Sequence, residues 1–136
     1  MAKWNRERGA AAVEFAILLP FLMILLMGIM EFGYLFVQQA SVSNVARVGA
    51  RNYAINWNDK AKGLTSQATA IDQARQALLA LPNQGGVVEA VTLSNCAAGI
   101  QTTMTVVYKY KSLTGMFDNV LGNMALTLRG SMQCGG

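Results

Sequence analysis

Histidine is absent from all 136 residues, which removes the commonest general base and the commonest metal ligand together. Charge is scarce as well: 13% of residues are Asp, Glu, Lys or Arg, against 53% hydrophobic. The acids form no close cluster, and the two cysteines, Cys96 and Cys134, stand far apart in the chain. A metal centre, a cofactor site or a nucleophile with its base therefore has no residues to rest on, and the chain reads as a non-enzyme that needs no cofactor. The formal net charge is +4, yet no basic block with interleaved aromatics occurs. Nucleic acid is accordingly not an expected partner, because scattered charges are accounted for by a solvated surface. There is no internal repeat and no low-complexity tract. The length suits one membrane segment and one small domain.

What the chain does have is a long apolar run. Residues 15–30, "FAILLPFLMILLMGIM", carry no charge, and beyond Glu31 the apolar character resumes as "FGYLFV". With residues 10–13 in front, the run matches the roughly 20 residues that cross a bilayer. Lys3, Arg6 and Arg8 against Glu7 place +2 ahead of it. The positive-inside bias then puts the N-terminus in the cytoplasm and everything after about Gln38 on the far side, with Tyr34 and Phe36 near the far interface. A cleaved secretory signal fits poorly, because "VQQAS" puts Gln38 where a small residue belongs and the apolar run is too long.

Two residues inside this run stand out. Pro20 removes one backbone donor and predicts a kink or local loosening, although a lone anchor also tolerates one proline. Glu14 sits at the edge of the apolar run, five residues beyond Gly9. Its own helix N-terminus stabilises a carboxylate there. Alternatively it meets a positive charge supplied by processing or by another copy of the chain; an unpaired carboxylate in lipid costs on the order of 3 kcal/mol.

The ordered set "GAAAVEFAILLP", "GIMEFG" and "ARVGAR" resembles the TadE-like family of minor pilins or pseudopilins from tight-adherence (Tad/Flp) type IV pilus systems. The resemblance covers roughly residues 6–53. It implies a prepilin leader at 1–9, cut by a membrane-embedded prepilin peptidase between Gly9 and Ala10, which leaves Glu14 as the fifth mature residue. The freed Ala10 amine and the Glu14 carboxylate then pair within or between subunits and set an axial stagger. Ala10 departs from the Phe or Met of many major pilins, and a small residue there is compatible with the Tad branch. The partners implied are the peptidase, other pilins or pseudopilins, the inner-membrane pilus assembly platform and membrane lipid.

Beyond the membrane, residues 38–54 keep helical spacing without proline. A helix over 10–53 would span about 66 Å, half submerged and half projecting. "NWNDKAKG" ends it, and the head follows over 54–136. In 64–82 the residues Leu64, Ala68, Ile71, Ala74, Leu78 and Leu81 recur at spacings of three and four, predicting an amphipathic helix closed by Pro82 and "NQGG". Three strands are predicted at 87–94, 101–111 and 124–132, with a helical turn or loop between the last two. In the second, Met104, Val106, Tyr108 and Tyr110 alternate with Thr105, Val107, Lys109 and Lys111. In the third, Met124, Leu126 and Leu128 form the apolar side. The fold class is α+β: a long N-terminal membrane-spanning helix, then a head of one small helix and a three-strand antiparallel sheet.

Cys96 and Cys134 read as a disulfide if the head faces an oxidising compartment, or otherwise as two buried thiols. In a meander each follows one of the two like-directed strands. If the middle strand separates them, two strand spacings, about 9.5 Å, are too long for a bridge without help from loops; if the first and third strands are neighbours, the bridge is easy. Cys134 lies two residues from the end, so a bridge would chiefly pin a tail.

The leading reading is a minor pilin or pseudopilin, processed after Gly9, that initiates, caps or adapts a tight-adherence pilus from the bacterial inner membrane. The alternative is a single-pass anchored envelope protein with a binding head, not processed at Gly9. A membrane-tethered enzyme would need an acid pair in the head.

Overall fold

A computed structural model describes residues 4–58, 66–81, 87–115, 118–121 and 124–135, and the side chains of all of these except 4–8, 120 and 121. The elements run α1 (Trp4–Asn56), α2 (Gln67–Leu79), β1 (Val87–Leu93), β2 (Gln101–Lys109), α3 (Asp118–Leu121) and β3 (Ala125–Gln133). The result is a long N-terminal apolar helix, a small helix and a three-strand antiparallel sheet, an α+β fold. The predicted Leu64, Pro82 and residues 83–86 lie outside the described residues.

Helix α1 is built from good helix formers and runs through Pro20 without a break in its assignment. It ends three residues beyond the predicted Tyr53, because Asn56 Nδ2 donates to Asn52 O at 2.9 Å and satisfies a carbonyl of the last turn. Helix α2 starts where Ser66 Oγ accepts from the Thr69 N–H at 3.1 Å, an N-cap of ordinary geometry. The chain divides into two compact units, Met1–Tyr34 and Leu35–Gly136. In the first, α1 turns large apolar side chains outward on all sides, from Val13, Phe15 and Ile17 through Phe21, Leu25 and Ile29.

In the second unit the sheet order is β1-β2-β3, all antiparallel. The predicted alternation of β2 holds: Met104, Val106, Tyr108 and Tyr110 are buried, while Thr105, Val107 and Lys109 are half-exposed. The second half of α1 forms part of the same core through Val42, Ala46 and Ala50, one residue per helical turn. Most of these are small, and the approach is correspondingly close. A Cβ added at Gly130 of β3 would lie 2.5 Å from both Ala46 C and Arg47 N, and one at Gly49 would lie 2.5 Å from Met104 Sδ. Gly130 takes the buried position on β3, while Leu126 and Leu128 pack half-buried beside it and Met124 stays exposed.

The strands run lengthwise along α1. Tyr108, paired with Leu126, donates its OH to Gln38 Oε1 at 3.1 Å. Gly130 lies over Ala46, and the Gly135 N–H donates to Ala54 O at 3.3 Å. Helix and β3 therefore advance in the same direction. Helix α2 packs beside them on β1, and its buried row is Ala70, Ala74 and Leu78, with Ile71 and Leu81 half-buried and Ala68 exposed. The predicted stripe was rotated at its start. Gln67 at the head of α2 donates to Leu93 O, and this bond turns the first helical turn so that Ala70 faces the sheet.

Cys96 and Cys134 are joined, with Cα atoms 5.8 Å apart, although β2 does lie between β1 and β3. The loop 94–100 makes this possible. Ser94 continues the pairing with Thr103, then the chain turns, Ile100 N–H bonding Ala97 O at 2.9 Å. Just ahead of β2, Ile100 O accepts from the Cys134 N–H at 2.8 Å, which extends the β2–β3 pairing by one residue, and the loop brings Cys96 over to Cys134 at this end of the sheet.

The two close approaches differ in what they press against, and this yields a test. Gly130→Ala drives a methyl into helix backbone and should cost about 1–3 kcal/mol of stability. Gly49→Ala meets only the end of the Met104 side chain and gains up to about 1 kcal/mol of helix propensity, so its loss should be smaller or nil. Chemical denaturation of the detergent-solubilised protein compares them; equal losses would contradict the assigned contact.

Candidate processing and assembly segment

Gly9, Ala10, Glu14 and Pro20 all lie on α1 in the first unit, and all are exposed. Nothing approaches within 4 Å of a Cβ built on Gly9. Ala10 and Glu14 stand one helical turn apart, a rise of about 6 Å, and so occupy the same face. No ion pair to Glu14 occurs among the described residues. In the intact chain the Ala10 nitrogen is an uncharged amide. Glu31, the second acid of the apolar run, differs sharply from Glu14: it is only 1% exposed.

Helix α1 is the candidate membrane span, long and apolar enough to cross a bilayer over Gly9–Asn56 by length and composition. Apolar residues that turn outward all round a helix have no place in water, and the first unit provides no layer to cover them.

The second unit brings together other polar groups. Gln38 is buried, and while its Oε1 accepts from Tyr108, its Nε2 has no partner among the described atoms. Sequence reasoning took Gln38 only as the end of the apolar run. Its position four residues before Val42, on the row that continues to Ala46, was the available signal. No group of three or more His, Cys, Asp or Glu that could hold a metal ion occurs among the described residues. A groove of about 310 Å³ between α1 and α2 is lined chiefly by Val45, Val48, Ala70, Ala74 and Ala77.

The stretch between β2 and β3 folds on one carboxylate. Ser112 donates to Asp118 Oδ1 twice, from Oγ at 2.7 Å and from its N–H at 3.0 Å. Ser112 Oγ in turn accepts from the Gly115 N–H at 2.9 Å. These bonds, the side-chain one foremost, hold the Asp118 carboxyl below its ordinary 3.8, and Lys111 adds to the effect. A lowered carboxyl contributes stability above its unfolded pKa and loses it as pH falls through the folded one.

Residues 9–51 match the family model of TadE-like protein. This N-terminal segment is TadE-like. The match begins at Gly9, takes in Ala10, Glu14, Pro20, Glu31 and Gly49, and ends at Arg51, so it lies wholly within α1. It covers about a third of the chain and none of α2 or the sheet. No curated protein and no solved structure matches the chain.

The Asp118 loop supplies a pH test independent of the membrane segment. The amide resonances of Ser112 and Gly115 should shift together as acid protonates Asp118, with a midpoint below 3.8, and Asp118→Asn should abolish the shift. A midpoint at or above 3.8 would remove the double hydrogen bond from the account.

Proposed function

We propose that this protein is a minor pilin or pseudopilin of a tight-adherence pilus, cut after Gly9 by a prepilin peptidase. The match of residues 9–51 to the TadE-like model supports a place in a Tad pilus system, and the finer role rests on the same segment. The observation that carries the reading is the placement of Glu14 one helical turn past Ala10, on an exposed helix with no ion-pair partner among the described residues. Cleavage would convert the Ala10 amide into an ammonium, a counter-charge one helical turn from Glu14.

In this reading α1 anchors the chain in the inner membrane, with the basic stub Lys3, Arg6 and Arg8 on the cytoplasmic side. The head, 54–136, stands on the opposite side. The new amine meets Glu14 of its own chain or of a neighbour. A pair between neighbours fixes their axial offset, since every other register leaves a carboxylate in hydrocarbon. Neighbouring helices would also cover the backbone carbonyl that Pro20 leaves without a donor. The chemistry the protein undergoes is that of a substrate and a building block, and its partners are the peptidase, other pilins or pseudopilins and the assembly platform. The head contributes shape rather than catalysis.

Two substitutions separate cleavage from assembly. Gly9→Arg should leave membrane insertion intact and abolish the peptidase-dependent loss of the leader, read as gel mobility on co-expression with the peptidase. Glu14→Leu should be cut normally yet enter pili beside wild-type copies at a level reduced tenfold or more. Normal cutting of the Gly9 variant would refute the assigned site; normal incorporation of the Glu14 variant would leave Glu14 as a helix-end acid only.

A further inference from the structure

We propose that the Cys96–Cys134 bridge is a redox-sensitive clasp on the last turn of α1, so that the end of this helix is locked only when the head is oxidised. The closest backbone approaches of α1 to the sheet lie earlier along the helix, at Ala46 against Gly130 and at Gly49 against Met104, while at its end Tyr53 and Ala54 are buried and Trp57 packs partly against the core. Helix α2 reaches α1 at Asn52, whose Nδ2 donates to Gln73 Oε1 at 3.0 Å. Among the described residues, two hydrogen bonds from 54–58 go to the tail. The Gly135 N–H donates to Ala54 O at 3.3 Å, and Trp57 Nε1 donates to Gly135 O at 2.9 Å. Ile55 in the same turn is largely exposed.

The tail has no such hold of its own. After Gln133, the last residue of β3, it is tied by the Cys134 N–H bond to Ile100 and by the bridge. The 94–100 loop is tied to α1 by a long bond, Cys96 N–H to Tyr53 OH at 3.5 Å. The bridge is therefore the covalent link between the loop and the tail, and both reach the helix end through hydrogen bonds. Opening it removes the covalent tie on residues 134–135, which carry the hydrogen bonds to Ala54 and Trp57.

The two sulfurs are not equally accessible: Cys134 is buried at 2% exposure, whereas Cys96 is partly exposed. Opening accordingly begins at Cys96. A thiolate of an external dithiol attacks Cys96 Sγ, the S–S bond breaks, and Cys134 leaves as a thiolate that takes up a proton. The second thiol of the reductant then displaces Cys96 as a thiol. The protein has gained two electrons and two protons, and the reductant has become a disulfide. The outcome is local: residues 54–57 and 134–135 loosen, while the core of Val42, Ala46, Ala50, Met104 and Val106 stays packed.

The test uses the full chain in detergent, and it does not depend on cleavage after Gly9. The chain has two tryptophans, Trp4 and Trp57, so a Trp4→Phe background makes Trp57 the reporter. Dithiothreitol should shift Trp57 emission to the red and raise its quenching by acrylamide at least twofold. Hydrogen exchange should rise at least tenfold at 54–57 and stay unchanged at 42–50 and in β2. The double variant Cys96→Ser with Cys134→Ser should show the open state without reductant and no response to it. Three results would each overturn the proposal: unaltered emission and exchange on reduction, exchange rising across the whole head at once, or an intact mass that does not increase by about 2 Da on reduction.

Discussion

The head depends on how closely β3 can lie on α1. At Gly130 there is no room for even a methyl group between strand and helix backbone, and one helical turn further along Met104 fills the notch at Gly49. That contact sets the strands along the helix rather than across it. It carries Tyr108 to Gln38 at one end and the tail to Ala54 at the other. Helix α1 thus meets two demands with different side chains. Its first part turns bulky apolar residues outward on all sides, and its second part keeps one face small enough for a sheet to settle on it.

Much of this was legible in the residues. The uncharged run 15–30, the two-residue alternation of β2 and the turn formers after α1 each report a local preference, and local preferences are what periodicity reads. The phase of α2 was less legible, because alanines at 68, 70 and 74 carry little hydrophobic contrast and the side-chain bond from Gln67 to Leu93 decides between them. Gly130 gave no sign of its role, since a glycine in a strand pattern suits a bulge as well as a close crossing. The bridge turned on the path of loop 94–100, whose turn at Ala97–Ile100 is a matter of backbone geometry that strand spacing alone does not fix.

The candidate site was legible in a different sense. Gly9, Ala10 and Glu14 are ordinary one at a time, and their order with Pro20 and Glu31 carries the resemblance that the TadE-like match at 9–51 bears out. That match stops short of the end of α1, so the sheet, α2 and the bridge stand outside it. The proposed chemistry likewise stays on the helix. The head acts in that account through its packing, with a core closed around α1 and a tail fastened by Cys134.

The most direct measurement is the N-terminal residue and intact mass of the protein extracted from membranes, with and without its prepilin peptidase. The account predicts a chain that begins at Ala10 when the peptidase is present and retains residues 1–9 when it is not. A chain that keeps residues 1–9 under both conditions would contradict it, and α1 would then be a plain anchor for the head.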